Sequence, residues 1–287
     1  MRLDEWGAFV EAAKSAGRAG DLLTLAEEAP TPDARAEVLR HAVEDLARAG
    51  RFAVALRVIE ESLRLDPASR DTLALKEDVS EAKAVGAGRR GPRFRRVFVA
   101  SGHMVDAPDR AAQGRGERFP PGKEAAVRDS LARQAEQWGV AAGDLAVCGG
   151  ARGADILFAE VCGRRGAEVW LFLPLPVGEF LAESVTLPGA DWEARFRALC
   201  ARARVRTHSQ PERLGPPPEG ASVFARNNLW MLNAARVEAD DPRGRLHAVL
   251  VWDERPDGDG GGGTADFAAR VKLLGGRLAP VINPTRL

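Results

Sequence analysis

The chain has 287 residues, 45% hydrophobic and 29% charged, which is enough for one large domain or two modest ones with proper cores. Its 41 basic and 41 acidic residues cancel, which argues against a chain-wide basic surface for duplex nucleic acid. The three cysteines are widely spaced and form no C-x-x-C pair, so neither a disulfide framework nor a zinc module is predicted. The chain opens without a signal-peptide pattern, and its longest apolar run is too short to span a membrane. We therefore expect a soluble, cytoplasmic protein that needs no metal and no cofactor.

The charge is divided unevenly along the chain. Residues 1–85 hold 12 basic and 17 acidic residues, whereas residues 86–287 hold 29 and 24. The zero net charge is therefore a cancellation between an acidic first region and a basic second region. A basic second region favours a small anionic ligand, while the neutral total still argues against duplex nucleic acid as a partner.

Residues 1–85 carry only helical patterns. Apolar residues recur at helical spacing on both sides of Ala49-Gly50-Arg51, which predicts a helical hairpin across 35–65, with further helices over 3–29 and 72–84. The hairpin resembles a tetratricopeptide repeat at four positions, Gly50, Phe52, Ala55 and Pro67. Repeat units of this kind need neighbours to bury their faces. The region is either a docking surface for a protein partner or a helical cap on the rest of the chain, and a homo-oligomer is also left open.

An Arg-rich segment follows the helical region. Residues 86–96 include five Arg among their last eight positions. Such a run is typical of a solvated linker, and contact with phosphates is the alternative.

From residue 97 to residue 287, apolar strand patterns alternate with amphipathic helix patterns. The predicted strands cover 97–100, 145–148, 168–173, 204–206, 246–252 and 278–282. The predicted helices cover 124–138, 154–164, 192–203, 224–236 and 264–274. This alternation predicts an α/β fold with a doubly wound, Rossmann-like parallel sheet, next to an all-α helical-hairpin region. Such sheets bind ligands beyond the carboxyl ends of their strands, so the residues after each strand are the candidates for a site.

The first two strands are followed by turns that suit an anion. After the first come Ser101, Gly102 and His103, where a small residue and a glycine let backbone amides approach a ligand. After the second comes Gly149-Gly150-Ala151-Arg152-Gly153-Ala154-Asp155, which leads into a helix. Glycines at the start of a helix expose amides at its positive end, and Arg152 adds a guanidinium. A tight turn that needs glycine for geometry alone is the alternative at both places.

Two later segments add further candidates. Arg226 and Asn227 lie near the start of the long helix, where the helix dipole disfavours a cation, so we expect an anion or a nearby carboxylate to hold Arg226. Four consecutive glycines, 260–263, precede Thr264, which is expected to cap the next helix. This glycine run is either a phosphate-binding loop, which we favour, or a flexible linker.

Taken in order, the segments Gly149–Asp155, Arg226-Asn227 and Gly262-Gly263-Thr264-Ala265-Asp266 resemble the SLOG superfamily. This Rossmann-like group includes the LOG phosphoribohydrolases, the DprA-like proteins and ADP-ribose-sensing domains, and the resemblance covers roughly residues 95–284. It implies a site for a nucleotide or a nucleotide-derived signal. By position it places at the ligand Ser101, Gly102, Gly149, Gly150, Arg152, Arg226, Asn227, Gly262, Gly263 and Thr264. The predicted ligand-binding residues are these together with His103, Gly153, Asp155 and Asp266.

The sequence departs from the phosphoribohydrolase pattern at the helix after the glycine run. Those enzymes carry a glutamate three residues after the threonine, whereas this chain has Phe267 there and its carboxylate one residue earlier, at Asp266. On a helix this shift turns the carboxylate by about 100°. A second departure is the insertion 175–220, which carries Glu179, Glu183 and Asp191 and which we expect to be a surface loop rather than a lid.

Two functions remain open. The first, which we favour because the hydrolase glutamate is displaced, is a sensor that binds a nucleotide-type small molecule and signals through the helical region. The second is a nucleotide N-glycosidase of the phosphoribohydrolase type, with Asp266, Asp155 or Glu179 as acid or base and His103 as helper. Binding of single-stranded nucleic acid is a weaker third alternative, because Phe94 is a poor stacking platform by itself.

Overall fold

The fold is built on one parallel β-sheet. The computed structural model describes residues 3–86, 93–110, 114–255 and 263–287. Within them the sheet has six strands, β1 (Val97–Gly102), β2 (Leu145–Cys148), β3 (Glu168–Leu173), β4 (Val205–Ser209), β5 (Leu246–Val251) and β6 (Arg277–Leu278). Their order is β4-β3-β2-β1-β5-β6, with every pairing parallel. The predicted α/β fold with a doubly wound parallel sheet is therefore confirmed.

The strand order reverses at β1. The chain runs outward from β1 to β4, then crosses back to place β5 on the other side of β1. The β1–β5 register runs from Val97 opposite Leu246 to Gly102 opposite Val251, so the two strands end together. In sheets of this type the crevice at the carboxyl ends of the strands flanking the reversal is the preferred ligand site.

Helices cover both faces of the sheet. In the second region they are α6 (Glu124–Gln137), α7 (Ala154–Arg164), α8 (Val177–Phe180), α9 (Trp192–Cys200), α10 (Gln210–Leu214), α11 (Val223–Ala239), α12 (Pro242–Arg245) and α13 (Thr264–Leu273). Helices α6, α7 and α9 share a core with Phe98 and Ala100, whereas α11 and α13 share the opposite core with Val97 and Val99. Alternate residues of β1 thus point to opposite faces, and both are apolar because both faces are covered.

The first region contains five helices. They are α1 (Leu3–Ser15), α2 (Ala19–Ala26), α3 (Pro32–Arg48), α4 (Phe52–Leu65) and α5 (Arg70–Ala84). The predicted hairpin is α3 and α4, joined at Gly50, whose positive φ of 71° suits glycine. Thr31 caps α3 by accepting a hydrogen bond from the amide of Ala34.

The helical region packs on α11 and shares its core. The side chains of Leu22, Leu23 and Leu25 are buried with those of α11 in one cluster. At the contact, a Cβ on Gly20 would lie 3.0 Å from the Cα of Ala234, so glycine is needed for this approach. The structure therefore has the helical region as a cap on the rest of the chain, one of the two alternatives that the sequence left open.

The arginines at the end of the predicted linker are tied to the sheet. Arg95 and Arg96 both bind the buried carboxylate of Asp144, at 2.9 and 3.1 Å, and Arg93 binds Glu168 at 2.9 Å. Within the predicted linker over 86–96, residues 93–96 are therefore attached to the sheet by these ion pairs, while Arg93 and Arg95 are exposed to solvent, as predicted. Residues 87–92 lie outside the described part of the chain.

Boundaries differ from the sequence prediction mainly at the sheet edges. Strand β4 runs over Val205–Ser209 rather than 204–206, and β6 covers Arg277–Leu278 instead of 278–282. Beyond β6 a single parallel bridge joins Ile282 to Val251. Among the described residues, no helix combines the length and the apolar character that crossing a bilayer requires.

Candidate functional site

A cavity of about 280 Å³ opens at the carboxyl ends of β1, β2 and β3, beside the point where the strand order reverses. Its polar lining combines side chains with glycine backbone from four different elements. These are Ser101, His103, Asp155, Asn227 and Thr264, with the backbone of Gly102, Gly149 and Gly263. The volume is near the lower end of the range for small-molecule sites, about 300–1,000 Å³.

The turn after β1 brings three elements together. A Cβ on Gly102 would lie 2.6 Å from the carbonyl oxygen of Val251 and 2.7 Å from the Cβ of Ala154. The amide of His103 donates to the carbonyl of Val251, and the carbonyl of His103 accepts from the amide of Ala154. Glycine at position 102 therefore lets β1, β5 and α7 meet at the floor of the cavity.

Asp155 is a buried carboxyl in the first turn of α7. Its Oδ2 accepts a hydrogen bond of 3.2 Å from the amide of Ala151, and the amide of Gly149 also donates to this carboxyl. Burial raises the pKa of Asp155 to about 7, and these amide bonds only partly oppose the rise. A carboxyl that gains and loses its proton near neutral pH can act as a general acid or base.

The amides of the turn before α7 are largely engaged. Besides those that bind Asp155, the amide of Arg152 donates to the carbonyl of Ser184 at 2.9 Å. The amide of Ala154 donates to His103, as described above. The carboxyl of Asp155 therefore accepts hydrogen bonds from backbone amides that we expected to bind an anion at this turn.

His103 and Asp253 form a buried pair beside the cavity. The Nε2 of His103 and the Oδ1 of Asp253 are 2.9 Å apart. Burial lowers the pKa of His103 below its ordinary value, and the hydrogen bond with Asp253 offsets this only in part. Burial by itself would raise the pKa of Asp253, but hydrogen bonds from His103 and from the amide of Arg255 leave it lowered. Because a carboxylate only accepts, a neutral imidazole paired with Asp253 donates through Nε2. The Nε of Arg118 lies 3.3 Å from the same nitrogen, so the three side chains form one group beside the cavity.

Asn227 lines the cavity from the first turns of α11. Its Nδ2 donates to the carbonyl of Phe172 at 2.7 Å, which fixes the side chain. Its Oδ1 is buried and accepts no hydrogen bond from the described residues. An unsatisfied buried acceptor is uncommon in native proteins and is stabilised by any donor brought within reach.

Four apolar side chains also line the cavity, interspersed with the polar ones. They are Met104, Phe180, Phe224 and Met231. Phe180 belongs to the predicted surface insertion, which continues into a π-helical turn over Leu181–Val185 whose Ser184 also lines the cavity. The surface-loop interpretation of 175–220 is therefore wrong for this segment, since it lines the site. Glu179, Glu183 and Asp191 are exposed.

A second, smaller cavity of about 180 Å³ adjoins the first. The two share His103, Met104 and Arg118, so they are neighbours. The second cavity is lined by four arginines and two carboxylates, Arg110, Arg115, Arg118, Arg152, Asp106 and Asp109. The Oδ2 of Asp106 accepts from the amides of Arg118 and Phe119, which holds the loop that carries Arg118.

The structure brings eight of the fourteen predicted site residues together at the first cavity. They are Ser101, Gly102, His103, Gly149, Asp155, Asn227, Gly263 and Thr264. Gly150 and Gly153 form the turn behind them, with positive φ angles of 78° and 93°. Arg152 faces the second cavity and donates from Nε to the carbonyl of Val105. Gly262 lies outside the described residues.

Two predicted residues lie elsewhere. Arg226 is buried under the helical region, where its guanidinium binds both oxygens of Glu28, at 2.6 and 2.7 Å. It also donates to the carbonyls of Leu214 and Gly215. The prediction that Arg226 holds a phosphate or a ribose is therefore corrected. Arg226 is bound by a carboxylate, which is the other alternative that the sequence left open.

Asp266 is the second displaced residue. It forms an ion pair of 2.9 Å with Arg270 on the exposed side of α13 and does not line the cavity. Thr264 is the first residue of this helix, and Gly263 occupies the capping position that we predicted for Thr264. Of the four catalytic candidates that the sequence offered, the structure therefore leaves Asp155 and His103 at the cavity.

Sequence reasoning missed Asp253 and Arg118. Asp253 follows β5 by two residues, and the rule that ligands bind after strand ends would have found it. Arg118 lies in a long loop between β1 and α6, where no local pattern marks it. In the part of the chain that the structure describes, no three histidine, cysteine or acidic residues are grouped as metal ligands.

No model of a protein family matches the chain, and no curated protein matches it.

Proposed function

We propose that the cavity at the strand reversal binds a nucleotide or a nucleotide-derived signal, nucleoside-phosphate-like or ADP-ribose-like, and that the protein is a sensor of this ligand. The observation that carries the proposal is the lining: aromatic and polar side chains line one cavity, and an arginine-lined cavity adjoins it. A nucleobase suits the aromatic rings of Phe180 and Phe224, and a ribose suits the hydroxyls and amides of the same cavity. The resemblance of the turn sequences to the SLOG superfamily favours the same class of ligand.

The phosphate end is proposed at Arg118 rather than at Arg226. Arg118 lines both cavities, so a phosphate beside it reaches the second cavity with Arg110, Arg115 and Arg152. Guanidinium groups bind phosphate oxygens through charge-assisted hydrogen bonds. A ligand that spans both cavities has its base against Phe180 and Phe224 and its phosphates among these arginines.

Helix α11 supports the proposal of a sensor. Its Asn227 and Met231 line the cavity. Its other face binds the helical region, with the Trp230 indole donating to Asp21 at 2.7 Å and Asn233 donating to Thr24 at 3.0 Å. A ligand that shifts α11 therefore acts directly on the contacts of the helical region, by which the bound state reaches a protein partner.

Thermal unfolding with AMP, ADP-ribose, NAD and cyclic nucleotides tests the binding. A ligand at a hundred times its Kd raises the free energy of unfolding by about 2.7 kcal/mol, so at least one compound is expected to raise the Tm. Arg118→Gln should weaken that ligand about tenfold. The matched control is Arg133→Gln, an exposed arginine on α6, which should leave binding unchanged. No shift with any compound, or equal weakening by both variants, would contradict the proposal.

Hydrolysis of an N-glycosidic bond is the second candidate, and the burial of Asp155 favours it. With a pKa of about 7, its carboxyl holds a proton for half of the molecules at neutral pH. That proton would pass to the departing base while a water molecule adds its oxygen to C1′ of the ribose and returns its own proton to Asp155. The products are the free base and the ribose phosphate.

Chromatography of a bound nucleotide after incubation separates the two candidates. Release of base that is abolished by Asp155→Asn and retained by Asp266→Asn would establish the enzyme. Stable binding without release in the wild-type protein supports the sensor alone.

A further inference from the structure

A third cavity lies between the helical region and the β3–β4 edge of the sheet. Its volume is about 360 Å³. The start of α2 forms one side of it, with Gly17, Arg18 and Gly20, and the side chains of β3 and β4 form the other. We call it the junction cavity. It is separate from the proposed nucleotide site, and the lining residues of the two have none in common.

Four arginines line the junction cavity, and their charges are only partly balanced. Arg18 and Arg213 share one carboxylate, Asp21, at 3.1 and 2.8 Å. Arg93 and Arg206 share another, Glu168, each at 2.9 Å.

The other carboxylate that lines the cavity, Glu238, is bound by Arg51 at 3.0 Å. Arg51 and Glu168 do not line the cavity themselves but pair with residues that do. Among the described residues these pairs hold five guanidiniums and three carboxylates, so two positive charges are left over.

The excess positive charge acts on His208, which lies among these arginines. Burial, followed by the charges of Arg213, Arg206 and Arg18, lowers the pKa of His208 to about 4. One guanidinium nitrogen, the Nε of Arg18, is buried and has no hydrogen-bond partner among the described residues. Helix α2 begins at this cavity without a side-chain cap, and Ala19 and Gly20, whose amides precede the first hydrogen bonds of the helix, line the cavity beside Arg18.

The side of the cavity opposite α2 is aromatic. Trp170 and Phe172 of β3 line it, with their rings against the imidazole of His208 at 5.5 and 5.1 Å between centroids. The cavity therefore offers cationic donors and aromatic side chains next to each other, since Arg206 is the cross-strand partner of Trp170.

We propose that the junction cavity binds a small organic phosphate monoester. The phosphoryl group, which carries up to two negative charges, takes the place between Arg18, Arg206 and Arg213, and the organic part lies on Trp170 and Phe172. Two negative charges match the two unbalanced positive ones, and the buried Nε–H of Arg18 gains an acceptor. Because α2 belongs to the helical region and β4 to the sheet, the ligand joins the two.

Titration with phenyl phosphate, followed through the ring resonances of His208 by NMR, tests this site. The wild-type resonances are expected to shift and to saturate. Inorganic phosphate is the second probe, and weaker binding than that of phenyl phosphate is expected because it lacks the apolar part. Arg18→Gln and Arg206→Gln should each weaken phenyl phosphate about tenfold. Arg206 is 54% exposed, and its partner Glu168 keeps Arg93, so this variant is expected to fold.

Two variants serve as controls. Arg204→Gln removes the same charge from an exposed position two residues before Arg206 and should leave the titration unchanged. Arg118→Gln removes the arginine of the nucleotide site and should also leave the His208 titration unchanged, which keeps the two sites distinguishable. An unmoved His208 at tens of millimolar phenyl phosphate would overturn the proposal. So would equal losses in Arg204→Gln and Arg206→Gln.

Discussion

Arg226 and Asn227 are adjacent on α11 but face different sides of the helix. Asn227 lines the cavity at the strand reversal, whereas the guanidinium of Arg226 is bound by both carboxylate oxygens of Glu28 in the helical region. Successive residues on a helix are about 100° apart, so the pair reaches two surfaces. One peptide unit therefore separates the cavity from the contact that holds the helical region.

The Arg226–Glu28 pair should be a major contributor to stability. Both side chains are nearly buried, at 3% and 9% exposure, so removal of one leaves the other as an unpaired buried charge. Arg226→Ala is expected to lower the free energy of unfolding by about 3–5 kcal/mol. Urea unfolding at neutral pH measures this loss.

The control for that variant is an exposed pair of the same type. Arg40 and Glu44 are 2.7 Å apart on α3 and 43% and 37% exposed, so Arg40→Ala should change stability by less than about 1 kcal/mol. Equal effects of the two variants would show that the Arg226–Glu28 pair is not specially stabilising. If Arg226→Lys lost nucleotide binding at unchanged stability, the prediction that Arg226 binds the phosphate or ribose of the ligand would be right after all.

The raised pKa of Asp155 should make stability fall as pH rises. The folded carboxyl keeps its proton up to about pH 7, whereas the unfolded one loses it near its ordinary pKa of about 3.9. Between these values the folded state binds one more proton, so Asp155 lowers the free energy of unfolding by about 1.4 kcal/mol per pH unit. Above pH 7 its contribution is constant.

Urea unfolding from pH 4 to pH 8 with Asp155→Asn measures this slope. The asparagine has no proton to lose, so the variant should lack the decrease between pH 4 and pH 7. Asp266→Asn, also in the first turn of its helix but exposed, should retain the wild-type slope. A wild-type slope in Asp155→Asn would mean that Asp155 titrates normally.

The His103–Asp253 pair should be visible in a histidine titration. Burial holds the pKa of His103 below its ordinary value of about 6.5, and the hydrogen bond with Asp253 opposes this. Asp253→Asn removes the carboxylate, so the pKa of His103 should fall further. NMR of the imidazole, assigned with His103→Gln, gives both values. A pKa above 6.5 in the wild-type protein, or a rise in the variant, would contradict a neutral imidazole that donates to Asp253.

The sequence predicted the sheet and half of the site for the same reason. Ser101 and Gly149 follow apolar strands, and the ends of parallel strands meet whatever the details of packing. Thr264 was found in the same way, through the glycine run before its helix. These residues are positioned by local chemistry and topology, which a single sequence reveals.

Arg226 shows what a sequence cannot give. Its place at the start of α11 indicates either a bound anion or a carboxylate. The structure has the carboxylate of Glu28, which lies 198 positions away in the sequence. The same holds for position 20, where glycine is favoured because the backbone of Ala234 lies close to it. Partners across such separations are set by how the helical region packs, and no periodicity or motif encodes that packing.

Gly102→Ala tests how closely β1 and β5 meet at the cavity. The added Cβ would lie 2.6 Å from the carbonyl oxygen of Val251, which is backbone and can move only if the strands separate. We expect a loss of about 1–3 kcal/mol in the free energy of unfolding, together with weaker nucleotide binding. Gly178→Ala is the control, since its Cβ meets nothing within 4 Å and alanine favours the helix there. Wild-type stability and binding in Gly102→Ala would mean that the strand ends are farther apart than the structure has them.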